Sequence, residues 1–159
     1  MGKDKRDLRG FIMKQIATVG GIGFFPFASG TVGTVPAALL VWLLPMPWPI
    51  YVAVTVAVTI AGIIASSEVE AVIGKKDPGC IVVDEVAGYL VAMAFLPPTT
   101  GYVIAAFFLF RAFDVIKPPP INGLQKLKGG FGVVVDDLAA GLATNIVLQP
   151  WPKGFMRPA

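Results

Sequence analysis

Long apolar stretches, broken by clusters of proline and glycine, give this chain its outline. Such clusters punctuate helices and end them. A first helix pair is expected over residues 34–44 and 50–73, joined by the turn "PMPWP" at 45–49. A second pair is expected over 84–96 and 101–117, joined by "PPTTG" at 97–101, and a last helix over 136–149. Ahead of these, residues 8–25 read as an amphipathic helix lying at an interface. Within the first pair, residues 50–67 form a nearly unbroken apolar run of 18, long enough for a transmembrane helix. The predicted fold is all-α, a small multi-pass membrane bundle of short helices.

Charge sharpens this picture. Only 14% of the residues are charged and 55% are apolar, above the roughly 45–50% of ordinary soluble domains; the mean hydropathy is +0.75. No charged side chain occurs from Gln15 to Ser67 or from Val86 to Phe110. The turns at 45–49 and 97–101 carry no charge, whereas the opposite connections carry Lys75, Lys76, Asp77, Asp84 and Glu85, and Arg111, Asp114, Lys117, Lys126, Lys128, Asp136 and Asp137. Lysine and arginine mark the cytoplasmic side of a membrane protein. The basic N-terminus and both charged connections are therefore expected inside, with Lys153 and Arg157 a mild violation outside. The 84–96 helix spans only about 20 Å against a hydrocarbon core of about 30 Å, so some helices are expected to be re-entrant or packed behind longer ones.

At 159 residues, a single domain is expected, with a basic, amphipathic segment over 1–27, the bundle over 28–149 and a tail over 150–159. A cleaved signal peptide is not expected, because the apolar part of the N-terminal segment is weak and its cleavage pattern poor. The net charge of +3 is scattered, which argues against nucleic acid as a partner. A lone cysteine, Cys80, excludes an internal disulfide and a cysteine-built zinc site, and there is no histidine.

The polar groups of this apolar chain thus gather at one face, and they fall into motifs. "VVDEVAG" (82–88) and "VVVDDLAAG" (133–141) each set a carboxylate pair, Asp84–Glu85 and Asp136–Asp137, beside an apolar run. Ionisable groups at membrane helices are costly and mark function, although a helix N-terminus also favours acids for ordinary capping reasons. In "FRAFDVIKPPP" (110–120), Arg111, Asp114 and Lys117 follow at three-residue intervals and share a helix face. "ASGTVGT" (28–34) opens the first apolar helix with small residues, and Ser29, Gly30, Thr31, Gly33 and Thr34 form a candidate phosphate seat at a helix N-terminus. "KGGFG" (128–132) reads as a flexible basic loop. Five hard carboxylates without a histidine or cysteine cluster point to an oxygen-liking cation such as Mg2+. Arg111 and Lys117 beside them point to chemistry on a phosphate, and the membrane face points to a lipid phosphate.

In this order, "SGTVGT", "VVDEVAG", "FRAFDVIKPPPI" and "GGFGVVVDDLAAG" resemble the phosphatidylglycerophosphatase A family over residues 16–148. The resemblance implies a small multi-pass enzyme of the bacterial inner membrane. Such an enzyme takes the terminal phosphate from phosphatidylglycerophosphate in phospholipid synthesis and requires Mg2+. Phosphohistidine chemistry is excluded by composition, and neither Cys-x5-Arg nor Asp-x-Asp occurs. Metal-assisted hydrolysis remains. The expected metal ligands are Asp84, Glu85, Asp136 and Asp137, with Asp114 as a further ligand or supporting group, around one ion or two; Arg111 and Lys117 clamp phosphate. A carboxylate acting as covalent nucleophile stays open. The rival readings are a CDP-alcohol phosphotransferase, whose long aspartate motif is absent, a small ion transporter and a non-enzymatic membrane protein. The oligomeric state is open.

Overall fold

A computed structural model describes residues 2–119, 121–124, 127 and 129–150, with side chains from residue 8 onward. Among these residues the fold is entirely helical. The helices are α1 (Gly2–Ala17), α2 (Ser29–Leu43), α3 (Trp48–Ile73), α4 (Val83–Ala92), α5 (Thr100–Ile116), the single turn α6 (Ile121–Leu124) and α7 (Gly130–Leu148). A 3-10 turn, Ile22–Phe24, links α1 to α2.

The short helix α4 is the hub, packed against α7, α2, α3 and α5. Two glycines set its distance from α7: a Cβ at Gly141 would overlap the Gly88 carbonyl, and one at Gly88 would meet the Asp137 carbonyl and the Phe110 ring. Phe110 in turn packs edge-on against buried Tyr89, with ring centres 6.2 Å apart. A helix end leaves four carbonyls without helical partners; at the end of α4 the Met93 and Ala94 N–H groups take those of Tyr89 and Val91, and neighbouring helices take the other two. Tyr51 donates to the Leu90 carbonyl at 2.6 Å, and the Asn145 amide donates to that of Ala92 at 3.0 Å and, two residues past the helix, to that of Ala94 at 2.8 Å. Tyr89 uses its own hydroxyl on the Val103 carbonyl. Ten residues in the middle of an apolar bundle can therefore stop without stranding backbone groups.

The two charge-free turns meet at one end of the bundle. There Leu44, Pro45, Trp48, Phe95, Leu96 and Pro97 help to line an apolar cavity of about 590 Å3. The acidic motifs lie at the other end, as their charge pattern predicts. Two of the described helices, α3 and α7, are long and apolar enough to cross a membrane. Of the most apolar 18-residue stretch of α3, only 17% is buried, and Ile50, Val56, Ile60 and Ile64 stand exposed along it.

Four expectations need correction, the first being that the helix expected over 84–96 stops at Ala92. The first apolar helix starts at Ser29, not at residue 34, so "SGTVGT" is its first turn and a half. The last begins at Gly130, not at Asp136, so the glycines of "KGGFG" that lie among the described residues belong partly to a helix. Gly130 is needed there because its Cβ would strike Ser67 and the Ile63 carbonyl of α3, and its N–H donates to Ser67 Oγ at 3.0 Å. Finally, the N-terminal helix ends at Ala17 and does not run to residue 25. It packs on α3 through Met13, Ile16 and Ala17 against Ala65 and Val69, with an ion pair between Arg9 and Glu68. The expected tail beyond Pro150 lies outside the described residues.

Candidate active site

Four helices bring their polar ends to one cavity of about 360 Å3, lined by six carboxyl groups and the two cations Arg111 and Lys117. Helix α4 contributes Asp84 and Glu85 from its first turn, where the helix dipole favours negative charge. The Glu85 N–H donates to Asp84 Oδ1 at 3.1 Å. Helix α7 contributes Asp136 and Asp137 from its second turn, not from its cap; both are buried, at 1% and 3% exposure. Neighbours on a helix point about 100° apart, which lets the two serve different partners.

Helix α5 supplies the cations. Arg111 and Asp114 pair at 2.6 Å, and Arg111 also lies 3.7 Å from Glu85. Lys117 caps α5 in a left-handed conformation, φ 45°. From there its ammonium binds Asp136 and stands 3.8 Å from Asp114. Asp114 therefore sits between the two cations. Helix α2 closes the wall with Gly30, where a Cβ would overlap Glu85 Oε1 and crowd the Arg111 guanidinium. Ser29 beside it donates to the Gly79 carbonyl at 2.7 Å, tying α2 to the loop that precedes α4.

Burial dominates the electrostatics. It raises the proton affinity of Asp84 well above the usual carboxylate range, and the charges of Glu85 and Asp137 push in the same direction. Burial also raises Glu85, with Arg111 among the groups that partly offset it. For Lys117 burial works against the charge, but the hydrogen bond and charge of Asp136, with Asp137 and Asp114 behind, outweigh it and raise its affinity for the proton.

Six carboxyls facing two cations leave a surplus of negative charge that low-dielectric surroundings tolerate poorly. Oxygens of Asp84, Glu85 and Asp137 all lie within 4.8 Å of one another, close enough to share one metal ion. Glu85 Oε2 is buried without a hydrogen-bond partner among the described residues. The donors are all hard oxygens, the set that suits Mg2+. The residues present therefore fit a divalent cation. Asp136 stands apart from that trio through its bond to Lys117, and Asp114 through its pairing with Arg111.

Of the twelve site residues read from the motifs, the fold gathers Ser29, Gly30, Asp84, Glu85, Arg111, Asp114, Lys117, Asp136 and Asp137 around the cavity. Thr31, Gly33 and Thr34 do not line it. Thr34 is fully buried and gives its hydroxyl to the Gly30 carbonyl, and Gly33 makes room for Val82. Sequence reasoning missed Asp77 as a cavity residue. Its signal was weak, an acid in an ordinary-looking "KKDPG" turn.

A profile of the phosphatidylglycerophosphatase A family matches residues 15–151, a span that holds every one of these groups. The chain belongs to the phosphatidylglycerophosphatase A family. Relatives differ in the headgroup they are named for. A Bacteroides thetaiotaomicron protein, provisionally named a phosphatidylinositol-3-phosphatase, is 39% identical over 147 residues, covering 87% of this chain and 92% of its own. Proteins named phosphatidylglycerophosphatase A from Escherichia coli and Haemophilus influenzae are 32% and 34% identical, over 86% and 82% of this chain and 83% and 85% of their own. No solved structure matches. All nine residues gathered around the cavity fall within the span that the family profile matches.

Proposed function

We propose that this chain is a membrane-embedded, Mg2+-dependent lipid phosphatase. It hydrolyses the terminal phosphomonoester of phosphatidylglycerophosphate to phosphatidylglycerol and inorganic phosphate in bacterial phospholipid synthesis. The observation that carries this reading is the cavity itself: a carboxylate trio able to hold one cation, faced by Arg111 and Lys117, at the charged end of an otherwise apolar bundle. The family membership and the relatives' names support the reaction class. The exposed apolar faces of α2, α3, α5 and α7 support a bundle set in lipid, since soluble monomers rarely expose so much contiguous apolar surface. We place the cavity at the cytoplasmic face of the inner membrane, level with the lipid headgroups, because the lysines and arginines collect at that end.

In this reading Asp84, Glu85 and Asp137 hold Mg2+, which when bound neutralises phosphate charge and acidifies water. Arg111 and Lys117 bind the phosphate oxygens and stabilise the negative charge that grows in the transition state. Asp114, between the two cations, keeps both aimed into the cavity. Asp136 has Oδ2 held by Lys117 and Oδ1 buried without a partner among the described residues. It is placed to accept the proton of the attacking water. The phosphorus–oxygen bond to the alcohol breaks as water forms the new one, and the proton ends on the departing alcohol. A second substrate, phosphatidylinositol 3-phosphate, is favoured by the name of the Bacteroides relative and offers the same phosphomonoester.

The test is phosphate release by purified protein in detergent from each of the two lipids, in Mg2+ and in excess EDTA. Release from phosphatidylglycerophosphate is expected only with Mg2+. Asp84→Asn, Glu85→Gln and Asp136→Asn are each expected to abolish it in folded protein. Near-normal rates in all three variants would falsify the site.

A further inference from the structure

Asp77 takes no part in the chemistry above, yet it lines the same cavity. It is not one of the three acids whose oxygens converge on a common point. Its backbone occupies the left-handed region, φ 46°, which aspartate adopts more readily than most residues. Two hydrogen bonds fix the turn that carries it. The Asp77 N–H donates to Glu70 Oε1 at 2.7 Å, back to α3, and the adjoining Lys76 donates to the Leu127 carbonyl at 3.0 Å, across to the segment before α7. Asp77 and Asp84 both line the cavity. The turn is thus held as part of the cavity wall.

The chemistry of the cavity limits what this acid can recognise. The phosphate belongs with Arg111 and Lys117 on α5. A carboxylate offers that phosphate no hydrogen-bond donor and repels its charge. What remains of the substrate's polar part is the alcohol that bears the phosphate. We propose that Asp77 is a specificity residue, whose carboxylate accepts a hydrogen bond from a free hydroxyl of the headgroup alcohol. The cavity then selects polyol phosphates, such as a glycerol or inositol phosphate on a lipid, over phosphomonoester lipids whose alcohol has no free hydroxyl. This assignment rests on the lipid phosphatase reading and names the part of the substrate that the other residues leave unread. A site built to bond a hydroxyl discriminates strongly against the analogue that lacks it.

The full chain in detergent is given phosphatidylglycerophosphate and an analogue in which propane-1,3-diol replaces the headgroup glycerol, so that only the free hydroxyl is missing. Wild-type protein is expected to favour the hydroxyl-bearing lipid in kcat/KM by about ten- to a hundredfold, the range for a hydrogen bond to a charged group. Asp77→Ala is expected to bring that ratio close to one, by lowering the hydroxyl-bearing substrate far more than the analogue. Asp77→Asn keeps an accepting oxygen and is expected to fall between. Circular dichroism confirms that each variant is folded. An equal fall on both lipids, or a rise in the Mg2+ concentration needed for half activity, makes Asp77 catalytic or a metal ligand and overturns the assignment. An unchanged preference in Asp77→Ala overturns it as well. Wild-type protein inert toward both lipids removes the phosphatase reading itself, an outcome distinct from the other two.

Discussion

Asp84 and Glu85 keep their protons more tightly in the fold than in the unfolded chain, chiefly because burial disfavours their charge. From the ordinary carboxylate range near pH 4 up to the raised values, the folded state binds the more protons. Stability without metal must therefore fall as pH rises through this window. In EDTA and detergent, the Tm is expected to be higher at pH 5.5 than at pH 8. Mg2+ supplies the missing positive charge, so the Tm increase it brings should be larger at pH 8, where fewer protons compete. Thermal melts at the two pH values, with and without Mg2+, check both signs; a higher Tm at pH 8 in EDTA contradicts the burial argument. Gly30 makes a second point at this scale. The atoms that a Cβ would meet there are the mobile ends of Glu85 and Arg111, which can shift at little cost to the fold. Gly30→Ala is expected to lower kcat about tenfold or more by displacing that pair, as loss of a positioned group does, while the Tm moves by only a few degrees. A normal kcat would mean that the Glu85–Arg111 arrangement is dispensable. These residues were legible in the sequence because charge is so scarce in it that each acid stood out. Asp77 was not, since a lysine-rich turn hides one more charge, and the turn is held partly by the bond from neighbouring Lys76 to the Leu127 carbonyl, 51 residues away in the chain.

At the scale of elements, the helices were read correctly in number and order for the two pairs and the last helix, because apolar runs between prolines leave little choice. Their starts were misread wherever glycine was taken as a breaker. Gly130 and Gly132 sit inside α7, and Gly30 and Gly33 inside α2. Isolated helices disfavour glycine by about 1 kcal/mol each. Here each removes a Cβ that a neighbour would strike: Ser67 for Gly130, Leu127 for Gly132 and Val82 for Gly33. Close packing overrides propensity, and no local pattern announces it. The consequence for α7 is that its aspartates stand a turn inside the helix, so the α4–α7 crossing fixes their distance from Asp84 and Glu85. Gly141→Ala is expected to force that crossing apart, because the atoms it meets are backbone of Gly88 and Ala92. The cost should be about 1–3 kcal/mol, typical of overpacking, with a loss of activity larger than that of stability. Chemical denaturation and turnover measured on the same sample check this. A variant as stable and active as wild type would show that the two helices can slide without harm.

For the whole molecule, the separation of a charged end from a neutral end carries the membrane reading. Asp77 lines the acidic cavity at one end, with Lys75 two residues before it in the chain, and Met46 and Phe95 line the apolar cavity at the other. Helix α3 joins the two ends over 26 residues, about 39 Å at 1.5 Å per residue, enough to cross a hydrocarbon core of about 30 Å with some tilt. In water its exposed isoleucines and valines would invite association; in lipid they are at rest. If the bundle spans the membrane, a reagent that cannot cross should reach the two ends from opposite sides. With Cys80→Ser as background, single cysteines at Lys75 and at Met46 are to be labelled with a membrane-impermeant maleimide in sealed inverted vesicles and in intact spheroplasts. Lys75→Cys should label in inverted vesicles only, and Met46→Cys in spheroplasts only. The reverse pattern would place the active cavity outside and contradict the charge rule. Labelling of both positions from one side would mean that α3 lies along the membrane, so that the lipid substrate meets the cavity from the surface and not from within a spanning bundle.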